Sequence, residues 1–119
     1  MPSEKRIQQF ADILENIARI ERFTAGFDAG GFAGNEQVFY AVLHALLIIS
    51  EAARRLGNEA EALAPDQPRQ SIRSLGNVLR HAYDGVDPGI IWRIVCDDLA
   101  GLKRAVGQAL VGLRSRKEP

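Results

Sequence analysis

Apolar residues recur at steps of three and four along almost the whole chain, and this spacing constrains the fold more than any other feature. Such steps place side chains on one face of an α-helix. The first segment, residues 4–24, shows the pattern clearly. Its apolar positions are Ile7, Phe10, Leu14, Ile17 and Ile20. Since no segment alternates as a half-buried strand does, the sequence predicts an all-α fold.

A glycine-rich stretch, residues 25–34, follows the first helix and predicts a loop. Asn35 is a suitable N-cap for the second helix. The middle of that helix, residues 41–50, is apolar on nearly every side. This composition is typical of a helix at the centre of a bundle or at a subunit interface.

Two further helices complete the predicted architecture. Pro68 suits the first turn of a third helix, which is predicted over residues 68–83. Asp87 as N-cap and Pro88 in the first turn predict the start of the last helix. The apolar stripe of the last helix is Ile91, Val95, Leu99, Leu102, Val106, Leu110 and Leu113. Because the connections are short, we expect one domain over residues 1–119, an up-and-down bundle of about four to five helices.

Composition limits the classes of function. Lys+Arg and Asp+Glu are equal at 15 each, so any nucleic-acid site has to rest on a local patch. The single cysteine excludes an internal disulfide and is too little for a zinc site. The first residues contain no apolar signal core, and no apolar run approaches about 20 residues. We therefore expect a cytoplasmic protein without a membrane segment.

Arg73, Asn77 and His81 are spaced by four within the predicted third helix, so they share one face. A histidine can transfer protons near neutral pH, which makes His81 a candidate catalytic residue. The competing interpretation is the solvated polar face of an amphipathic helix, which is common. Tyr83 lies two residues further on and points elsewhere unless the helix has already ended, and its competing interpretation is packing against Trp92 or Ile91.

The remaining candidate residues are predicted to have structural roles. His44 lies in the apolar second helix, where a packed or interface position is more common than a ligand. Glu51 and Arg55 have the spacing of a surface ion pair. Cys96 is predicted to be a small apolar filler. The carboxylates of residues 97–98 diverge by about 100° on a helix, which argues against a metal pair.

The chain resembles the HepT-like branch of the HEPN superfamily, small all-α toxins that are paired with a minimal nucleotidyltransferase antitoxin. The resemblance covers nearly the full length and is strongest over residues 72–83. The family motif is an arginine, four to six residues, a histidine, one residue and a tyrosine, and in the HepT-like form asparagine follows the arginine directly. Here these positions are Asn77, His81 and Tyr83, while Gly76 stands in the place of the arginine.

The resemblance implies a metal-independent endoribonuclease that needs no cofactor and acts as a homodimer with both motifs in one cleft. His81 would be the general acid or base. Tyr83 would accept AMP from the MNT-type nucleotidyltransferase antitoxin, which blocks the cleft. Arg73 or Arg80 would have to supply the phosphate-stabilising charge that Gly76 lacks. Two alternatives stay open: an inert binding partner of the nucleotidyltransferase, and a helical dimerisation module with neither activity.

Overall fold

The computed structural model describes residues 3–57 and 85–117, with the side chains of residues 4–57 and 85–115. Every regular element in these two stretches is helical, which confirms the predicted all-α class there. The predicted third helix, residues 68–83, lies outside them. The elements are α1 (Ser3–Thr24), α2 (Ala29–Ala33), α3 (Glu36–Leu56), α4 (Pro88–Arg93), a π-helical turn (Ile94–Asp98) and α5 (Leu99–Lys117).

The four helices α1, α3, α4 and α5 pack together, and α1 contacts both α3 and α5. Their apolar stripes meet in one core that includes Phe10, Ile17, Ile20, Val42, Leu46, Ile49, Ile91, Leu102, Val106 and Leu110. At the surface, Lys103 Nζ lies 3.1 Å from Glu21 Oε2, so the start of α5 lies beside the end of α1. Both side chains of this pair are half exposed, so it contributes at most about 1 kcal/mol.

The prediction of a loop throughout residues 25–34 is wrong, because α2 forms inside it. Asp28 is the N-cap of α2, and its Oδ1 accepts a hydrogen bond of 2.7 Å from the Gly31 N–H. Phe32 is completely buried, with its ring centroid 5.1 Å from that of Trp92 and 5.7 Å from that of Phe39. The cap and the buried ring offset the low helix propensity of the glycines.

Both ends of α3 follow the local sequence signals. Asn35 is the N-cap, as predicted, and its Oδ1 accepts a hydrogen bond of 3.0 Å from the Val38 N–H. The helix ends at Gly57, whose φ of 57° lies in the left-handed region that glycine adopts readily.

The last helical segment begins as predicted, with Asp87 as N-cap and Pro88 in the first turn. It then contains a π-helical turn, in which the Leu99 N–H donates to the Ile94 carbonyl five residues earlier. The buried stripe accordingly steps by five from Ile94 to Leu99. Val95, predicted as a stripe position, is partly buried and packs against the core, and Ile94 beside it is buried as well.

Among the described helices, α3 is long and apolar enough to cross a membrane by length and composition. A core helix can have the same composition, and eight residues of α3 are buried against the rest of the protein. The absence of a membrane segment therefore stays a prediction.

Candidate functional site

The five residues of the predicted catalytic and modification site lie outside the described residues. They are Arg73, Asn77, Arg80, His81 and Tyr83. The described chain stops at Gly57 and resumes at Gly85, two residues after Tyr83. The structure therefore defines the two anchoring points on either side of the predicted site, and each has its own chemistry.

The anchoring point at Gly85 is well fixed. Val86 is partly buried and packs against the core. Asp87 Oδ1 accepts a hydrogen bond of 2.8 Å from the Gly89 N–H and so starts α4. One turn later, Trp92 packs on Phe32 of α2. The chain that follows the predicted motif is thus attached to the end of the bundle that contains α2.

The anchoring point at Gly57 carries charge. Arg54 Nη2 lies 2.9 Å from Glu51 Oε2, so the ion partner is one residue earlier than the predicted Arg55. The hydrogen bond to Glu51, and then its negative charge, raise the pKa of the Arg54 guanidinium above its ordinary value. Arg55 is exposed. The C-terminal end of α3 therefore presents two cationic side chains, one of them ion-paired with Glu51.

Two predicted structural roles are corrected. His44 is exposed on α3, so the prediction of a packed histidine is wrong, and the interface position stays a prediction. Cys96 is exposed in the π-helical turn and is not a core filler. Within the described part of the chain, no group of three or more His, Cys, Asp or Glu side chains could hold a metal ion.

The structure also shows a feature that the sequence analysis did not single out, a shallow groove of about 700 Å³ along the outer face of α5. Its described lining residues are Ala100, Lys103, Arg104, Gly107, Gln108 and Val111. The signal was present in the sequence, because α5 contains several Lys and Arg residues and no carboxylate. The net charge of zero for the whole chain conceals this local excess.

The helices and the core define a small all-α protein, and comparison with known proteins identifies its family. Residues 13–109 match the model of the "Ribonuclease HepT-like" family. The chain belongs to the HepT-like ribonuclease family, as its resemblance to that family predicted.

Two archaeal relatives illustrate the similarity. The chain is 35% identical to "Putative RNase MJ1380" of Methanocaldococcus jannaschii over 105 residues, which is 87% of this chain and 96% of the relative. It is 36% identical to "Probable ribonuclease HepT" of Thermococcus cleftensis over 92 residues, which is 77% of this chain and 84% of the relative. No solved structure shows a significant match.

Proposed function

We propose that this protein is a HepT-like endoribonuclease, the toxin of a toxin–antitoxin pair, and that it cleaves RNA without a metal ion. The observation that carries this proposal is the family match, because residues 13–109 include every residue of the predicted site. The relatives named as ribonucleases cover this chain over most of its length, which supports the same class of reaction.

The proposed reaction is an attack by the ribose on its own phosphodiester. His81 removes the proton of the 2′-hydroxyl, and the 2′-oxygen forms a bond to the adjacent phosphorus. The bond from phosphorus to the 5′-oxygen of the next nucleotide breaks, and that oxygen receives a proton from water, while His81 holds the proton taken from the 2′-hydroxyl. The products are a 2′,3′-cyclic phosphate and a free 5′-hydroxyl. Asn77, four residues before His81, lies on the same predicted face and can orient the phosphate or the imidazole.

The phosphate acquires negative charge in the transition state, and Gly76 cannot stabilise it. We propose that Arg73 or Arg80 does so. Removing an oriented donor of this kind typically lowers the rate by about 10²–10³. An enzyme that uses a displaced arginine is therefore expected to be slower than one with the family motif intact.

The toxin is proposed to act in the cytoplasm as a homodimer, with its MNT-type nucleotidyltransferase antitoxin transferring AMP to Tyr83. The exposed side of α3 supports self-association. Tyr40 is 49% exposed there, beside the exposed His44 and the partly buried Leu47 and Ile48. An exposed aromatic residue next to apolar side chains is typical of a protein interface.

Cleavage of a fluorescent RNA in the presence of EDTA tests the proposed activity. We expect the wild type to cut the RNA, His81→Ala to lose activity by at least about 10²-fold, and either Arg73→Ala or Arg80→Ala to be strongly impaired. Activity that is equal in the wild type and in His81→Ala would contradict the proposal.

A second function, a catalytically inert partner of the nucleotidyltransferase, is favoured by one observation: Gly76 replaces the motif arginine. Intact-mass measurement after incubation with the nucleotidyltransferase and ATP tests it. A gain of AMP that is lost in Tyr83→Phe, together with no cleavage by the unmodified wild type, is the expected result for this alternative. A gain that survives Tyr83→Phe would contradict Tyr83 as the acceptor.

A further inference from the structure

The charge of α5 differs from that of the other long helices. α1 contains four cationic and four acidic side chains, and α3 contains two of each. α5 contains five cationic side chains and no acidic one, in a chain whose formal net charge is zero. They are Lys103, Arg104, Arg114, Arg116 and Lys117.

Helix stability explains only part of this excess. Cations in the last turn of a helix interact favourably with the negative end of the helix dipole. Lys103 is neutralised by Glu21, at 3.1 Å. Arg104 is different, because it lies in the first half of α5, is exposed and has no ion-pair partner among the described residues.

The groove places Arg104 in a suitable position for a ligand. Arg104, Gln108 and Val111 lie on one side of α5, since they are separated by three or four residues. Arg114 lies beyond the described lining residues, three residues after Val111 and about 15 Å from Arg104 along the helix axis. Gly107, between Arg104 and Arg114, has no side chain to fill the groove, and a Cβ added there would meet nothing within 4 Å.

We propose that this groove binds the ribose-phosphate backbone of single-stranded RNA, and the inference rests on the proposed ribonuclease function. The guanidinium groups of Arg104 and Arg114 bind phosphates, since their planar donors match phosphate oxygens. The Gln108 amide donates to phosphate or ribose oxygens. Val111, 64% exposed, supplies an apolar contact for a base or sugar. No carboxylate of α5 opposes the approach of a polyanion.

The test measures binding separately from cleavage. A fluorescein-labelled 2′-O-methyl RNA of about 20 nucleotides lacks the 2′-hydroxyl that the proposed reaction needs, so its fluorescence anisotropy reports binding alone. We expect Arg104→Gln to weaken binding by about five- to tenfold, and to reduce the slope of log K against log salt by about 0.7. Arg93→Gln, an exposed arginine of α4 outside the described groove lining, is the matched control and is expected to leave both unchanged.

A second pair of variants probes the floor of the groove. Gly107→Glu places a negative charge between the proposed phosphate sites, whereas Gly107→Gln adds nearly the same volume without charge. We expect Gly107→Glu to weaken binding by at least tenfold more than Gly107→Gln does. A Cβ at residue 107 meets nothing within 4 Å, so thermal unfolding followed by circular dichroism is expected to show both variants folded.

The binding and cleavage results together distinguish RNA binding by the groove from the proposed ribonuclease activity. Unchanged RNA affinity in Arg104→Gln and Gly107→Glu overturns the groove as an RNA-binding site, even if the wild type cleaves RNA. No binding of the 2′-O-methyl RNA by the wild type also overturns it. Binding that depends on Arg104 in a wild-type protein that cleaves nothing supports the groove and overturns the nuclease. A groove that binds the nucleotidyltransferase through Arg104, while RNA affinity is unchanged, overturns the RNA assignment.

Discussion

Asp87 is the N-cap of α4. It lies four residues after Tyr83, the last residue of the predicted site. Asp87→Ala removes an N-cap acceptor and is expected to lower the free energy of unfolding by about 1 kcal/mol. Urea denaturation measures this change. Asp97→Ala, a second exposed aspartate in the π-helical turn, is the control and should change stability by less than about 0.5 kcal/mol.

A loss of stability in Asp87→Ala no larger than that in Asp97→Ala would show that the cap does not hold the start of α4.

At the scale of single residues, the sequence predicts structural roles well where the role depends only on neighbouring residues. Asn35 and Asp87 cap helices as expected because capping depends on a few adjacent residues. The exposures of His44 and Cys96 depend on how helices rotate against each other, which spacing alone does not determine.

At the scale of elements, α2 depends on Phe32 more than on its own helix propensity. Phe32→Ala removes a fully buried ring that contacts Trp92 and Phe39, so we expect a loss of about 3–5 kcal/mol in the free energy of unfolding. Phe27→Ala, the same truncation at a half-buried position nearby, is expected to cost clearly less. Similar losses in both variants would contradict the anchoring role of Phe32.

The π-helical turn leads to a second prediction at the scale of elements. It concerns the deletion of one exposed residue. Deleting Asp97 converts the step of five between Ile94 and Leu99 into a step of four, which an ordinary α-helix accommodates with both buried residues still inside. Deleting Gln108 instead rotates the buried residues after it by about 100°. Thermal unfolding should show a folded protein for the first deletion and a much larger loss of stability for the second.

Equal losses of stability in the two deletion variants would contradict the presence of an extra residue in the π-helical turn. α2 has no regular apolar period of its own, because it is anchored by contact of Phe32 with Trp92, which is distant in sequence. The π-helical turn replaces the helical steps of three and four with one step of five, from Ile94 to Leu99, which a search for regular spacing does not detect.

At the scale of the whole molecule, the proposed homodimer depends on the exposed side of α3. Tyr40→Asp places a charge in that surface, and we expect sedimentation velocity to show a shift from dimer to monomer. Val111→Asp, the same kind of change at an exposed apolar residue of α5, should leave the dimer intact. A dimer that persists in Tyr40→Asp, or is lost in Val111→Asp, would contradict α3 as the interface.

How much of the candidate site could be predicted also depends on scale. The spacing of Arg73, Asn77 and His81 indicates one helical face and no more, and their roles come from the likeness to the HepT-like family that the match over residues 13–109 supports. The groove of α5 was missed because a net charge of zero averages over the chain. Electrostatic binding depends instead on where the charges lie.

The most direct test of the proposed nuclease is an oligodeoxynucleotide that contains a single ribonucleotide, incubated with the protein in EDTA. We expect one cut, immediately 3′ of that ribonucleotide, which leaves a 2′,3′-cyclic phosphate on one product and a 5′-hydroxyl on the other. We also expect His81→Ala to abolish this cut. No cleavage by the wild type, or cleavage that does not require the ribose or His81, would contradict the proposed nuclease.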